Sequence, residues 1–182
     1  YTHVLPGFGS GDYNGLRVPI GLWGNHSIPQ LLDEAFPSSD GALSPTARIL
    51  STGVLVSTLA LMAVVFRHEP RDRFSCYGQI GAVLVALLLV PVYTYEHHLV
   101  YAIPAAVILI GASLSGRLPR LSLVLWLLAG TALAMELATI RSVAMDLSAP
   151  AGIVLRELKF GALVTLFAGC LWLGHNRGAT TG

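Results

Sequence analysis

The chain divides into a polar front and an apolar remainder. Residues 1–46 are rich in Gly, Pro, Ser, Asp and Asn, and one stretch there has helical periodicity. Ile28, Leu31, Leu32, Ala35 and Phe36 recur at helical spacing, with Gln30, Asp33 and Glu34 opposite them, which predicts an amphipathic helix near 28–36. Ser27 is placed as its N-cap, Pro29 falls in the first turn, and Gln30 is spaced to reach back as in a capping box. Pro37 ends it. A helix of this kind lies on a membrane surface.

Five long apolar stretches follow, at 48–66, 77–93, 98–114, 121–138 and 158–174. Each is close to the ~20 residues a spanning helix needs. Lipid offers no partner to a backbone N–H or C=O, so these stretches are expected to be helices. The expected fold is all-α: a multi-spanning membrane bundle of about five transmembrane helices over 47–182, preceded by an extracytoplasmic loop over 1–46. Pro104 is expected to kink the third helix, whereas Pro119 falls in a gap. Thr94 is expected to cap the third helix with Glu96 in its first turn, and 139–157 reads as a connection.

Composition narrows the class. Of the 182 residues, 54% are hydrophobic and 12% charged, and mean hydropathy is +0.67. Soluble domains carry ~25% charge, so disorder and a soluble α/β enzyme are both excluded. The net charge of +1 gives no polyanion signal, and nucleic acid is not an expected partner. Cys76 and Cys170 lie in or beside apolar runs and imply no disulfide framework. Residue 1 is Tyr, and no short apolar segment with a basic front precedes the polar region. The chain is therefore expected to be the C-terminal part of a longer protein.

Charge in the connections orients the bundle. Arg67, Arg71, Arg73, Arg117, Arg120 and Arg177 sit in short connections or just past the last apolar stretch. Arg17, Arg48, Arg141, Arg156 and Lys159 are spread over longer segments that also hold eight of the ten carboxylates. The positive-inside rule puts 67–76, 115–120 and the C-terminus in the cytoplasm. The front segment, the 94–98 turn and the 139–157 connection then share the outer face.

Two polar patches fall on that face. Tyr93-Thr94-Tyr95-Glu96-His97-His98 collects two imidazoles, a carboxylate and two phenols where one apolar stretch ends and the next begins. As an interfacial belt, the tyrosines mark headgroup depth and the other groups are wetted. As a site, ionisable groups at a helix mouth bind or react. Gly24-Asn25-His26-Ser27 has the same two readings: a loop ending in an N-cap, or helix-start N–H groups with Asn and His beside them to hold a phosphate or a sugar hydroxyl. Asn25-His26-Ser27 also fits a glycosylation sequon.

The outer basic residues either snorkel into headgroups or neutralise a lipid phosphate, and Glu136 and Asp146 have similar standing. Met135, Trp23, Trp126 and Trp172 read as packing or belt positions. No metal site is expected, because His97 and His98 are adjacent rather than one helical turn apart. No phosphate-cradling glycine loop or nucleophile elbow appears.

The two patches together resemble one family. Val4-Leu5-Pro6, then Gly24-Asn25-His26-Ser27-Ile28 leading into Leu31-Leu32, resembles the Leu-Pro … Asn-Gln-Ser-Leu … Leu-Leu loop of glycosyltransferase family 87, which are multi-spanning enzymes of GT-C type. Pro91 to Pro104, with His97-His98-Leu99-Val100 and Ile103-Pro104-Ala105, resembles that family's Pro-Ile-Ser-Trp-x-His-His … Leu-Pro-Ala segment. The likeness covers about 4–112. His26 stands where Gln is usual, and Thr94-Tyr95 where Ser-Trp is common.

The resemblance implies the C-terminal part of a GT-C-like fold. It also implies transfer of a sugar, often mannose or arabinofuranose, from a polyprenyl phosphate carrier to a glycolipid or glycan outside the cytoplasm. The catalytic aspartate it implies belongs to a first extracytoplasmic loop upstream, so this part alone is expected to be inactive. On that basis His97 first, and His98 second, contact the carrier phosphate or donor sugar, and Glu96 orients one imidazole. Asn25, His26, Ser27 and Tyr95 bind sugar or acceptor hydroxyls, with Arg17 a further phosphate candidate. An apolar groove takes the prenyl tail, with no metal or other cofactor, and membrane lipids are the remaining partners. The expected location is the bacterial inner membrane, with the active face extracytoplasmic. The alternative is a transporter or lipid-binding module without chemistry, for which a mid-membrane Glu136 would speak.

Overall fold

A computed structural model describes residues 12–13, 16–17, 25–38, 43–67, 69–91, 93–147 and 149–175. Apart from a two-residue ladder, in which β1 (Asp12–Tyr13) runs antiparallel to β2 (Leu16–Arg17), the regular structure among the described residues is helical. In order come α1 (Ile28–Ala35), α2 (Pro45–Phe66) and α3 (Arg73–Leu89), then a 3₁₀ segment (Glu96–Ala102) that runs into α4 (Ile103–Leu114). They are followed by α5 (Ser122–Ala134), α6 (Leu137–Asp146), α7 (Ala149–Arg156) and α8 (Leu158–His175).

Among the described residues, three helices are long and apolar enough to cross a membrane: α2, the Glu96–Leu114 rod and α8. The chain therefore has the character of an integral membrane protein. α5 and α6 make a fourth span only as a broken pair, bent by 95°. α3 is apolar but has 17 residues, about 25 Å at 1.5 Å per residue. The expected five spans thus become three, or four with the broken pair.

The reasons are local. The backbone is extended at Met135 and Glu136, which turns the 121–138 run before its end. Pro91, with no N–H to continue a helix, follows the C-cap of α3 at Val90. Pro104 is expected inside a continuous helix, but the helix type changes there. It occupies the first turn of α4, where 3₁₀ geometry gives way to α and a missing N–H is tolerated. The 139–157 connection is itself helical, as α6 and α7. These pack so closely that a Cβ on Gly152 would lie 2.7 Å from the Ala144 carbonyl oxygen.

At the centre, α3 and α8 run antiparallel in close contact. A Cβ on Gly78 would fall 2.6 Å from the Gly174 nitrogen and 2.9 Å from the Cys170 oxygen. Small residues of this kind let two backbones touch within a membrane. Ser75 Oγ closes the same contact by donating to the Gly174 carbonyl at 3.0 Å. α4 and α5 complete the core, where Trp126 covers Gly169 and its indole N–H donates to Ser113 Oγ at 3.0 Å. Trp126 is thus a packing residue, while Trp172 is 45% exposed.

The bundle has two chemically distinct ends. Arg117 of the α4–α5 connection pairs with Asp72, the N-cap of α3, at 3.1 Å, beside the end of α8 at Gly174. The arginine-bearing connections therefore share one end, as their charge pattern requires. The opposite end holds the start of α2, where Leu43 and Ala47 pack with Leu32 and Tyr93. The end of α3, the 3₁₀ segment and the start of α8 also meet there.

Candidate functional site

At this second end the two polar patches meet. Asn25, His26 and Ser27 are buried, because the segment leading into α1 leans on the segment between α3 and the 3₁₀ turn. His26 N–H donates to the Thr94 carbonyl at 2.8 Å, and Thr94 N–H donates to Asn25 Oδ1 at 2.9 Å. Thr94 Oγ1 donates to the Leu88 carbonyl, one of the acceptors a helix end leaves open. Thr94 therefore closes α3 rather than capping the next helix. That cap is Tyr95, in extended conformation. His98 Nδ1 accepts the Tyr95 N–H at 3.2 Å, and His98 N–H donates to the Tyr95 carbonyl at 2.8 Å.

Glu96 is the hub. Its Oε1 accepts from His26 Nε2 at 2.8 Å, and its Oε2 accepts from Lys159 Nζ at 2.5 Å. Lys159, in the first turn of α8, has no exposed surface, whereas the Glu96 side chain is 37% exposed. One carboxylate thus joins the front segment, the 3₁₀ turn and the last helix. Burial pushes the His26 pKa below its ordinary value, and the nearby Lys159 charge acts in the same direction. The Glu96 hydrogen bond opposes both without reversing them. His26 is therefore the neutral imidazole at pH 7, with its Nε2 proton donated to Glu96.

Several expectations change here. The imidazole hydrogen-bonded to Glu96 is that of His26. Lys159 does not snorkel into headgroups; its ammonium turns inward because a carboxylate waits there. Gln30 does not reach back to the cap. Its amide donates forward to Glu34 Oε1, and its own buried Oε1 has no partner among the described residues. Ser27 is the N-cap of α1, its Oγ accepting the Gln30 N–H at 3.3 Å. That helix buries Pro29 and Gln30, leaving Phe36 41% exposed.

His97 is exposed, its ring centroid 4.0 Å from that of His98 and 6.3 Å from that of Tyr95, which stacks on Tyr93. Glu136, Asp146, Arg48 and Arg141 are exposed. The Arg17 side chain, like that of Arg156 and the Val4-Leu5-Pro6 motif, lies outside the described residues.

Lys159 is the residue that sequence reasoning misplaced. The signal was present: it is the chain's sole lysine, and it sits one residue inside an apolar helix. An ionisable group at that depth needs a partner.

Two apolar grooves flank α5. The larger, about 580 Å³, lies between α5 and α8, and Leu31 of α1, Val154 of α7 and Glu157 also line it. The smaller, about 380 Å³, runs between the 3₁₀–α4 rod and α5, with Glu96 among its lining residues. A carboxylate held by two donors, a ring array at the surface and apolar channels together suit an amphiphile, with its head at the rim and its chain along the helices. Comparison of the chain with protein-family profiles, with curated proteins and with solved structures finds no match.

Proposed function

We propose that this chain is part of a membrane glycosyltransferase. It moves a sugar of mannose or arabinofuranose type from a polyprenyl phosphate donor to an extracytoplasmic glycolipid or glycan. The observation that carries this reading is the junction of Asn25-His26 with Thr94-Tyr95-Glu96 beside two apolar grooves. Such a junction suits a reaction on a lipid-borne substrate at the membrane rim. In this reading the polar end is extracytoplasmic and the arginine end cytoplasmic, in a bacterial inner membrane. His97, exposed beside Tyr95, contacts the carrier phosphate or donor sugar. His98, whose Nδ1 is engaged by the Tyr95 N–H, offers Nε2–H to the same groups. Asn25, His26, Ser27 and Tyr95 shape the hydroxyl-binding wall, and a prenyl tail occupies a groove without a metal.

The test is transfer of radiolabelled mannose or arabinofuranose from polyprenyl phosphate donors, in native membranes with and without the full-length protein that contains this chain. Label appearing in a lipid or glycan product only when the protein is present supports the reading. No protein-dependent product with either donor overturns it.

One observation favours a second reading, a transporter or lipid-binding module without chemistry. The 95° break at Met135-Glu136 gives a discontinuous helix with a carboxylate at the break, a device of transporters. Protein-dependent flux of a lipid across vesicles, with no covalent product, distinguishes it.

A further inference from the structure

Glu96 has acceptor capacity to spare. A carboxylate offers about four lone-pair positions, and His26 and Lys159 take one on each oxygen. The side chain is more than a third exposed and lines the smaller groove. Below it Val100, Ile103 and Val107 descend one side of the 3₁₀–α4 rod, facing Gly130 and Leu133 of α5. Among the described residues, nothing else lining this groove carries a charge. An anionic phosphate at its head would meet the Glu96 carboxylate, whose balancing ammonium is buried behind it. A hydroxyl would find an open acceptor strengthened by its charge.

We propose that this groove is a binding site for a single-chain lipid with a neutral, hydroxyl-bearing head, with the hydroxyl donating to Glu96 and the chain lying between α4 and α5. Lys159 and His26 are positioning residues that hold the carboxylate at the mouth. The inference rests on the transfer reading for its role, since it makes this groove the seat of the acceptor rather than of the phosphate-bearing donor. The binding itself is measured without any transfer.

Two glycines provide the test. Gly130 lines the smaller groove and Gly161 the larger, and a Cβ on either meets nothing within 4 Å. Leucine at each therefore fills its own groove without a backbone clash. The chain in phosphatidylcholine nanodiscs is labelled with a dodecyl glucoside bearing a diazirine on its alkyl chain, and the labelled peptides are located by mass spectrometry. Label is expected on 96–107 and 130–134. Unlabelled dodecyl glucoside should displace it at a concentration about tenfold below that of dodecyl phosphate, a difference of about 1.4 kcal/mol. Gly130→Leu should abolish the labelling and Gly161→Leu should leave it.

Equal displacement by the phosphate, or labelling indifferent to Gly130→Leu, overturns the proposal, the latter being general lipid contact. Loss of glucoside labelling alongside intact sugar transfer would sink this site alone. Intact labelling with no transfer by the full-length protein in native membranes would sink the transfer reading alone.

Discussion

Lys159 Nζ lies 2.5 Å from Glu96 Oε2, and the lysine side chain is 1% exposed against 37% for the glutamate. The pair is therefore asymmetric in its response to mutation. Glu96→Ala strands an ammonium in the bundle and should cost about 3–5 kcal/mol, the range for a broken buried pair. Lys159→Met leaves a carboxylate that water still reaches, so its cost should be smaller, about 1–3 kcal/mol. Adding Glu96→Gln to Lys159→Met should recover part of the loss. Unfolding titrations in mixed micelles check the order; equal costs for the two single variants would deny the asymmetry.

His26 sets a pH dependence. Its folded pKa is below the ordinary imidazole value because of burial, so the unfolded chain binds the proton more readily. Stability from the neutral form is present above about pH 6.5 and falls as pH drops from there toward the folded value. The unfolding midpoint should drop by about a few degrees between pH 7 and pH 5. His26→Gln, which keeps an N–H donor for Glu96 and removes the titration, should show a smaller drop. A variant with the same pH slope as the parent would contradict the assignment.

Asn25 is predicted to hold the two patches together through the Thr94 amide. Asn25→Ala leaves that buried N–H without its acceptor and should cost about 1–3 kcal/mol. Hydrogen exchange should report faster loss of the Thr94 amide proton. Unchanged protection there would show that the junction is held by other contacts.

Glycine positions separate the helix contact from the lipid face. A Cβ at Gly78 would meet the backbone of α8 at 2.6 Å, whereas at Gly53 on α2 it would meet nothing within 4 Å. Gly78→Ala should therefore lower thermal stability by prying α3 from α8. Gly53→Ala should be neutral or slightly stabilising, since alanine favours a helix. Comparable melting curves for the two would contradict the α3–α8 packing.

Much of this was legible in residue patterns. Helical spacing, with Ser27 and Pro29 at the start, located α1, and the arginine-rich connections lie together at one end. Periodicity does not see a change of direction inside an apolar run. The break at Met135-Glu136 and the 3₁₀ stretch before Pro104 were therefore missed, both decided by a few backbone angles rather than by hydropathy. In the site, His26 and Glu96 were singled out separately, but a 70-residue separation carries no signature of a hydrogen bond. Lys159 escaped because a basic residue near a helix end ordinarily turns outward to water. A carboxylate waiting inside reverses that preference; the lone lysine inside an apolar helix signals a partner, but only the fold shows that the partner is Glu96.

The central claim is tested most directly by sugar transfer from the polyprenyl phosphate donor in native membranes, comparing the full-length protein that contains this chain with its His97→Ala variant. Among the described residues, His97 is exposed and its ring contacts are with its neighbours Tyr95 and His98, so its removal should leave membrane insertion and the melting curve unchanged. The rate should fall on the order of 100-fold, as for loss of a group that stabilises developing charge. A rate equal to that of the parent would remove His97 from the site and with it the proposed chemistry at this rim.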